Sequence, residues 1–359
     1  MASPYTVLVT GSSGHLGAAL MLSLPSAGHI PLGIDILPSP TTTTVGSVTD
    51  RALVASILAT HASITHIVHA ATLHKPHVDS HPKSAFIDTN ITGTLVLLEE
   101  AARLPQSRIK SFIFVSTTST FGTALSPKQG QPAAWIDESV TPIPKNIYGV
   151  TKCAAEDLCS LVHRQTSLPV LVLRTSRFFP EPDDDEDRRA AMGDANLKVC
   201  ELAYRRVDIA DVVSAVVCGM ERASALGFGK YIISAPPPFA VALEDDSNKN
   251  VSDNKVGAAA AARAALLRRL DTDAGAVFAE VVPGCAVVFE KLGWTCLGRL
   301  DRVYDSSKAV RELGWRPQWT IGKVVEKLSR GEDWRSELTH KVGKKGYHAV
   351  STGVYTTRD

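Results

Sequence analysis

One stretch near the N-terminus decides the fold: Tyr5-Thr-Val-Leu-Val-Thr-Gly-Ser-Ser-Gly-His-Leu-Gly17. It begins as a short apolar, β-prone run, which is typical of a buried parallel strand. Gly11, Gly14 and Gly17 follow directly, where a helical pattern begins. Glycines in this order let the backbone turn sharply, bring amides close to a pyrophosphate and let helix and strand pack tightly. The stretch therefore predicts a dinucleotide-binding loop at the start of the first helix.

Beyond this loop, short apolar runs alternate with helical patterns. The predicted strands lie at 30–34, 66–70, 112–116 and 170–174, and the predicted helices at about 16–27, 51–60, 85–103 and 148–165. Repeated strand–helix units imply a parallel sheet with right-handed crossovers and helices on both faces. We therefore predict an α/β fold, a Rossmann doubly wound parallel sheet with a smaller mixed C-terminal substrate lobe.

The same patterns divide the chain into two parts, because the strand–helix rhythm breaks after Arg174. Residues 1–175 form the expected NAD-binding Rossmann domain, to which a later segment at about 205–235 returns. Residues 176–204 and 236–359 form the expected small substrate-binding lobe.

The second part contains stretches of biased composition. The acidic run Asp183–Asp187 is typical of a solvated loop, and a helical pattern follows at 195–204. The polar segment Glu244–Asn254 predicts a mobile loop, and the alanine-rich segment Ala258–Leu270 predicts a solvent-facing helix. We interpret these two segments as a low-complexity insertion at about 244–272.

Composition points to a small-molecule partner. A chain of 359 residues with 44% apolar content can bury one large core and a smaller lobe. The 38 basic and 37 acidic residues create no global field that favours nucleic acid or an anionic membrane. Six scattered cysteines predict reduced thiols in a cytoplasmic protein: Cys153, Cys159, Cys200, Cys218, Cys285 and Cys296. We expect no secretory signal and no membrane span, since neither pattern is visible.

Asp35 indicates which dinucleotide binds. It ends the second predicted strand, eighteen positions after Gly17, where a carboxylate can accept hydrogen bonds from the adenosine ribose hydroxyls. Its charge would repel a 2′-phosphate, and no arginine stands in the glycine loop or directly after Asp35. We therefore predict NAD rather than NADP. The alternative is a surface aspartate at a strand end.

Tyr148 and Lys152 are the candidate acid–base pair. They stand four residues apart and so share one face of a predicted helix. A free tyrosine, with a pKa near 10, is a poor base at neutral pH. The lysine cation, together with the positive charge of oxidised nicotinamide, would lower that pKa. Tyr148 could then exchange a proton with a substrate hydroxyl, while Lys152 holds the nicotinamide ribose.

A hydroxyl-rich tail follows the predicted strand at 112–116. Ser116, Thr117 and Thr118 stand at its carboxyl end, where open sheets place their ligands. A hydroxyl there can orient the reacting oxygen. The alternative is ordinary turn chemistry, because serine and threonine also favour turns and caps.

The motifs together resemble the extended short-chain dehydrogenase/reductase family, the group that contains the NAD-dependent nucleotide-sugar epimerases and dehydratases. The resemblance covers residues 5–235 and returns at 302–317. The motifs that carry it are Thr10–Gly17, Val68–Ala71, Asp88–Leu95, Ser116–Thr118, Tyr148-x-x-x-Lys152, Leu173-Arg174, Arg206–Val212 and Leu313–Pro317.

The resemblance implies roles for particular residues. Thr117 takes the position of the family's catalytic Ser/Thr beside Tyr148 and Lys152. Asn90 is expected in the central helix, beside the active-site strand. Ser47 departs from the family, which usually has an acid there that touches the adenine. The implied cofactor-binding residues are Gly11, Gly14, His15, Leu16, Gly17, Asp35, Ile36, Ser47, Val48, Ala70, Ala71, Asn90, Ser116, Tyr148 and Lys152.

The implied substrate contacts are His74, Thr117, Thr118 and Arg177. Arg177 stands where sugar epimerases commonly carry asparagine, and it could pair with a carboxylate or a phosphate. The alternative is an ion pair with the acidic run at 183–187. The chain also lacks the glycine-rich, Arg-Asp-aromatic stretch of many nucleotide-sugar enzymes, which leaves the substrate open.

Six histidines lie between His61 and His81, but their spacing resembles no metal motif. We expect no metal site there. His77, like His74, lies in the predicted loop over the nicotinamide end.

The leading function is an NAD-dependent epimerase, which removes a hydride from a carbinol carbon and returns it to the other face. The 4,6-dehydratases of the family carry Thr-Asp-Glu where this chain has Ser116-Thr117-Thr118, which argues against dehydration. The alternatives are a dehydrogenase or ketoreductase that releases its product, and a non-catalytic dinucleotide-sensing protein. Family analogy also suggests a homodimer through two helices that include the Tyr148 helix.

Overall fold

The computed structural model describes residues 5–105, 108–123, 127–182, 186–239 and 253–345, without the side chains of 186 and 253–259. Its strands are β1 (Thr6–Thr10), β2 (Ile30–Asp35), β3 (Thr44–Val45), β4 (Ile64–His69), β5 (Ser111–Thr117), β6 (Ala134–Ile136), β7 (Val170–Thr175), β8 (Phe228–Ile233) and β9 (Arg302–Tyr304). Seven of them form one sheet in the order β3-β2-β1-β4-β5-β7-β8, and β6 pairs separately with β9.

The helices surround these strands. They are α1 (His15–Ser23), α2 (Arg51–Thr60), α3 (Lys83–Phe86), α4 (Gly93–Arg103), α5 (Ile147–Thr166), α6 (Glu186–Met192), α7 (Asp194–Glu201), α8 (Ile209–Leu226), α9 (Asp253–Thr272), α10 (Ala274–Val281), α11 (Cys285–Leu292), α12 (Ile321–Ser329) and α13 (Glu337–Val342). A π-helical turn, Ile87–Thr92, joins α3 to α4, and another, Ala309–Leu313, precedes α12.

Neighbouring strands of the large sheet run parallel in every pair that the structure describes, as the alternation of strands and helices predicts. Successive side chains of a strand point to opposite faces, and both faces here are covered. On β1, Val7 and Val9 pack with α1 and α8, whereas Leu8 packs with α2 and α4. The prediction of a Rossmann-type, doubly wound α/β fold is confirmed.

The strands occur where the sequence predicts them, with ends shifted by up to two residues. The first helix is shorter than predicted, since it ends at Ser23 and only a 3-10 turn, Pro25–Ala27, follows. Proline lacks the N–H that a continued helix would need, and its ring crowds the preceding turn.

The acidic run differs from its predicted form in part. Asp183–Asp185 lie outside the described residues, but α6 begins at Glu186 and includes Asp187. Acidic residues are favoured in the first turn of a helix because they face its positive end. The helix predicted at 195–204 also ends sooner, at Glu201, and continues as turns.

A separate apolar cluster lies in the C-terminal part of the chain. Phe278 and Phe289 are buried there beside Tyr204 and Val303. The alanine-rich helix α9 is largely exposed where its side chains are described, and Leu270 near its end is buried. The polar segment Glu244–Asn254 was predicted as a mobile loop. Its residues 244–252 lie outside the described part of the chain, and α9 begins at Asp253.

All six cysteines are free thiols, three of them buried and three half-buried. None of the helices in the described ranges is long and apolar enough to cross a bilayer.

Asp211 fastens the C-terminal segment to α8. It is buried on α8, and its carboxylate oxygens accept hydrogen bonds from the backbone N–H groups of Gln318 (2.7 Å) and Trp319 (2.8 Å). The fully buried Trp315 adds a bond from its indole N–H to the Asp211 carbonyl (3.0 Å). One carboxylate thus binds two successive amides of the C-terminal segment.

Asp211→Ala should therefore lower the free energy of unfolding by roughly 2–6 kcal/mol, since two N–H groups at about 1–3 kcal/mol each lose their acceptor. Urea denaturation followed by circular dichroism would measure it. Glu221→Ala, at an exposed position of the same helix, is the matched control and should change little. Equal stability of the two variants would contradict this account.

Candidate active site

A cavity of about 760 Å³ lies along the carboxyl edge of the large sheet. Parallel strands bring their carboxyl ends to one edge, which is where open α/β sheets bind ligands. The sequence-predicted site residues that line it are Gly11, Gly14, His15, Leu16, Gly17, Asp35, Ile36, Ser47, Val48, Ala70, Ala71, His74, Ser116, Thr117, Thr118, Tyr148 and Arg177. Asn90 and Lys152 are not among the lining residues and lie behind the cavity wall.

The glycine loop is tightly packed against its neighbours. Gly11 has a φ of +71°, and a Cβ there would lie 2.7 Å from the backbone nitrogen of Ala71. A Cβ on Gly17 would lie 1.9 Å from the Gly11 carbonyl oxygen. Gly14 is the N-cap of α1 and lines the cavity, as do the residues of the first helical turn, whose amides have no acceptor within the helix itself. This cradle fits an anionic pyrophosphate.

Asp35 lines the same cavity as the glycine loop. Its carboxylate accepts from the backbone N–H groups of Ser13 and Leu37, each at 2.9 Å. These two bonds fix the carboxylate at the end of β2 and leave lone pairs for ribose hydroxyls. Ser47 also lines the cavity, and its hydroxyl lies 2.8 Å from that of Thr49 in the turn before α2.

Asn90 links the loop after β4 to helix α5. Its side chain accepts from the backbone N–H of Leu73 and donates to that residue's carbonyl, both at 2.9 Å. It also donates to the Thr151 hydroxyl at 3.0 Å. Thr151 lies between Tyr148 and Lys152 on α5. Asn90 therefore fixes the helix that carries the candidate acid–base pair.

His69 continues this polar network toward β1. Its two ring nitrogens bond the hydroxyls of Thr10 (2.7 Å) and Thr94 (2.9 Å). Burial, aided by the charge of Lys152, lowers the pKa of His69 to about 3, so the ring is neutral. Among the described residues, no three His, Cys, Asp or Glu side chains are grouped to hold a metal ion.

Tyr148 and Thr117 meet at the cavity wall. Both side chains are buried and line the cavity, and Thr117 is close enough to act on the phenol of Tyr148. Thr117 also accepts from the backbone N–H of Ser119 at 3.1 Å. Burial raises the pKa of Tyr148 to about 12, and the nearby Thr117 hydroxyl opposes that rise.

Lys152 lies one helical turn further along α5. Its Nζ donates to the Val115 carbonyl at 2.6 Å and lies 4.2 Å from the centre of the Phe114 ring. Burial lowers the pKa of Lys152 to about 7, and the negative charge of Glu156 opposes that fall.

These directions differ from the expectation that Lys152 lowers the pKa of Tyr148. The phenol and the ammonium are both removed from water, so each favours its neutral form. Lys152 is then only partly charged near neutral pH, which weakens its effect on the phenol. Burial, which the sequence alone does not reveal at this position, accounts for the difference.

The sequence reasoning did not identify Glu156. This buried carboxylate accepts from the Ser116 hydroxyl (2.6 Å) and from Arg174 (2.7 Å), and Lys230 lies 3.0 Å away. Its pKa is lowered despite burial, chiefly by Arg174. The signal was present, because Glu156 follows Lys152 by the same four residues that separate Lys152 from Tyr148.

Arg177 lies beyond β5, on the side of the cavity formed by β7. Its guanidinium is 3.9 Å from the buried carboxylate of Glu201, which also pairs with Arg205 (2.7 Å) and Arg206 (3.0 Å). These arginines hold the pKa of Glu201 well below its usual range. Arg188 lies 3.0 Å from the same carboxylate, so four guanidinium groups share it beside the cavity, a cluster that the sequence reasoning missed.

His74 and His15 pack around Phe179. The His74 ring stacks on Phe179 with centroids 5.4 Å apart, and the His15 ring lies 5.1 Å from the same residue. His15 Nε2 is 2.8 Å from a carboxylate oxygen of Glu181. The segment after β7 therefore contacts the glycine loop.

Thr118 begins a 3-10 turn at the end of β5.

A protein-family model described as "NAD dependent epimerase/dehydratase family" matches residues 7–227 of the chain. This match spans the glycine loop, Asp35, the Tyr148–Lys152 pair and the whole of α8.

Among curated relatives, a UDP-glucose 4-epimerase of Rhizobium leguminosarum bv. trifolii is 31% identical over 176 residues, which is 47% of this chain and 50% of that protein. A dTDP-glucose 4,6-dehydratase of Xanthomonas campestris pv. campestris is 30% identical over 201 residues, 49% of this chain and 55% of that protein. The chain spans about half the length of these relatives.

Solved structures of similar fold cover more of the chain. A UDP-glucose 4-epimerase from Thermotoga maritima, solved with UDP-glucose, has a TM-score of 0.55 at 20% identity and covers 91% of this chain and 99% of its own. A UDP-glucuronic acid 4-epimerase from Bacillus cereus, solved with NAD, has a TM-score of 0.55 at 18% identity and covers 94% and 100%. At these identities the likeness shows a shared fold.

Lys152→Met should change how stability depends on pH. Because the pKa of Lys152 falls from 10.5 to about 7 on folding, its burial destabilises the protein fully below that pH. The destabilisation shrinks as the pH rises toward 10.5. Methionine removes the charge and keeps a similar length. We therefore expect the Tm of the variant, relative to wild type, to be most favourable near pH 6 and to fall steadily toward about pH 10.

Differential scanning calorimetry across this range would measure the trend. Lys291→Met, at an exposed position of α11, is the matched control and should give a flat difference. A flat difference for Lys152→Met as well would contradict the buried-ammonium account.

Proposed function

The chain belongs to the NAD dependent epimerase/dehydratase family, and from that premise we propose that it is an NAD-dependent epimerase. The proposed reaction is transient oxidation of a carbinol carbon in a sugar or nucleotide-sugar-like substrate, followed by reduction from the other face. One observation carries the proposal: the buried side chains of Tyr148 and Thr117 line the same cavity that the glycine loop lines.

The residues at the glycine-loop end fit a dinucleotide. Gly11 and Gly17 leave no room for a Cβ, and the N-terminus of α1 offers amides and partial positive charge to a pyrophosphate. Asp35 would accept from ribose hydroxyls and repel a 2′-phosphate, which favours NAD over NADP. When bound, NAD supplies the site that accepts a hydride and gives it back.

Tyr148 is the proposed acid–base residue. Its phenolate oxygen would take the proton of the substrate hydroxyl, and the neutral phenol would return a proton when the carbonyl is reduced. Thr117 would orient the same substrate oxygen. Since burial raises the pKa of Tyr148 to about 12, the phenolate needs positive charge nearby, and protonated Lys152 supplies part of it.

The cationic side of the cavity supports an anionic substrate. The backbones of Arg177 and Arg206 pair with each other just after β7, and both side chains line the cavity. Arg302 of β9 lines it as well. Guanidinium groups bind phosphate and carboxylate through paired hydrogen bonds. A sugar that carries a phosphate, as in the substrates named for the relatives, fits this side. Thr118 offers a hydroxyl where the dehydratases carry an acid, which favours epimerisation over dehydration.

We also propose a homodimer through α4 and α5, by analogy with the family. Val150 and Leu161 are exposed apolar residues on α5, and their spacing of eleven residues places them on one face of the helix. A second copy of the chain would cover that face.

Incubation with a panel of UDP- and dTDP-sugars should yield the epimer of at least one of them. A substrate labelled with deuterium at the reacting carbon should keep its label, because the same hydride returns. Tyr148→Phe should reduce turnover at least about hundredfold while leaving NAD binding nearly intact. NMR of the sugar and calorimetry with NAD would measure these outcomes.

Steady production of NADH with release of a keto sugar would instead make the enzyme a dehydrogenase. Unchanged turnover in Tyr148→Phe would reject the assignment of the acid–base residue.

Asp35→Ala should weaken NAD binding by roughly tenfold to a hundredfold and reduce discrimination against NADP, because hydrogen bonds to a carboxylate are lost. Asp35→Asn is the matched control. It keeps an acceptor but removes the charge, so it should mainly admit NADP. Calorimetric titration with both dinucleotides would measure this. Preference of the unaltered enzyme for NADP would contradict the proposal.

A further inference from the structure

Three side chains of α5 contact the end of β5 at intervals of four residues. The phenol of Tyr148 interacts with Thr117, Lys152 donates to the Val115 carbonyl and Glu156 accepts from the Ser116 hydroxyl. Because 3.6 residues complete a helical turn, such a spacing keeps all three on one face. The first two belong to the proposed reaction. The third has no role in it so far.

We propose that Glu156 is a positioning residue, whose buried carboxylate fixes Ser116 at the end of β5 and stabilises the charged ammonium form of Lys152. This inference rests on the proposed function, since it concerns the charge that supports Tyr148.

The surroundings of Glu156 show that its carboxylate is ionised. Its side chain is 1% exposed, and Arg174 contacts both of its oxygens, with Nε at 3.0 Å from Oε1 and Nη2 at 2.7 Å from Oε2. Lys230 of β8 lies 3.0 Å from Oε2. A buried carboxylate with two cations and a hydroxyl donor remains charged, because each partner favours the ionised form.

The groups that face Lys152 come from several elements. On α5 these are Tyr148, Glu156 and the Cys159 thiol, whose pKa burial raises, so that it is neutral. His69 of β4 is neutral as well, and β5 presents the Phe114 ring and a backbone carbonyl. Within this described set, Glu156 is the group that brings negative charge.

The cations around Glu156 compete with Lys152 for its carboxylate. Arg174 and Lys230 both bind it directly, whereas Lys152 interacts with it through space along α5. The charge on Lys152 therefore depends on a balance. Loss of Glu156 removes the attraction and leaves two uncompensated cations nearby, while loss of Lys230 removes a repulsion. A purely structural role for Glu156 predicts no such pair of opposite effects.

Glu156→Gln and Lys230→Gln provide the matched test. In the full-length protein labelled with ¹³C-lysine, the Lys152 signal can be assigned by its loss in Lys152→Met. Glu156→Gln should lower the midpoint of the Lys152 titration by about one to three pH units. Lys230→Gln should leave that midpoint unchanged or raise it. Glu156→Asp, which keeps the carboxylate, should restore most of the wild-type value.

The double variant, which combines Glu156→Gln with Lys230→Gln, provides a second test if Glu156→Gln alone fails to fold. It removes one charge of each sign and so leaves the net charge of the site unchanged. Its midpoint should lie below that of Lys230→Gln alone. In turnover assays, the basic limb of the kcat profile of Glu156→Gln should move to lower pH, with KM unchanged.

An unchanged Lys152 midpoint in Glu156→Gln, or in the double variant relative to Lys230→Gln, would overturn the inference even if the enzyme is an epimerase. Conversely, absence of epimerisation with every sugar would reject the proposed function, while the titration, which needs no substrate, would still decide the role of Glu156.

Discussion

The chemistry of this site depends on burying charged and polar groups next to the apolar core of a parallel sheet while giving each one a partner. A phenol, an ammonium and a carboxylate follow one another on α5, and each meets an atom at the end of β5. Unpaired, any of them would cost several kcal/mol in such surroundings. Because the partners belong to strand ends, the register of the sheet sets where the reactive groups stand.

The same requirement extends the network across the sheet. His69 and Asn90 continue it from Thr10 of β1 to Thr151 of α5, and each bond satisfies a buried polar atom. The glycine loop begins at the next residue after Thr10. The glycine loop and the helix that carries Tyr148 and Lys152 are therefore joined by one continuous set of hydrogen bonds, although they lie far apart in the sequence.

The sequence was informative where local geometry decides the outcome. The positions of Gly17 and Asp35 could be predicted because a strand, a tight turn and the start of a helix fix where such residues stand. Helical spacing likewise placed Tyr148 and Lys152 on one face of α5. The sequence did not show that Tyr148 and Lys152 are buried. The pKa of Tyr148 is therefore raised, whereas we expected Lys152 to lower it. Long-range pairings were also hidden: the Glu201 cluster and the pairing of β6 with β9 join segments whose contact no spacing rule predicts.

The π-helical turn at Ile87–Thr92 limits which insertions and deletions this region can accept. Such a turn accommodates one residue more than a regular helix would. A single-residue deletion there could leave an unbroken and more regular helix, yet it would rotate Asn90 by about 100° relative to the residues beyond the deletion. The segment is therefore constrained in length rather than in helix propensity, and a shortened homologue would need another way to anchor α5.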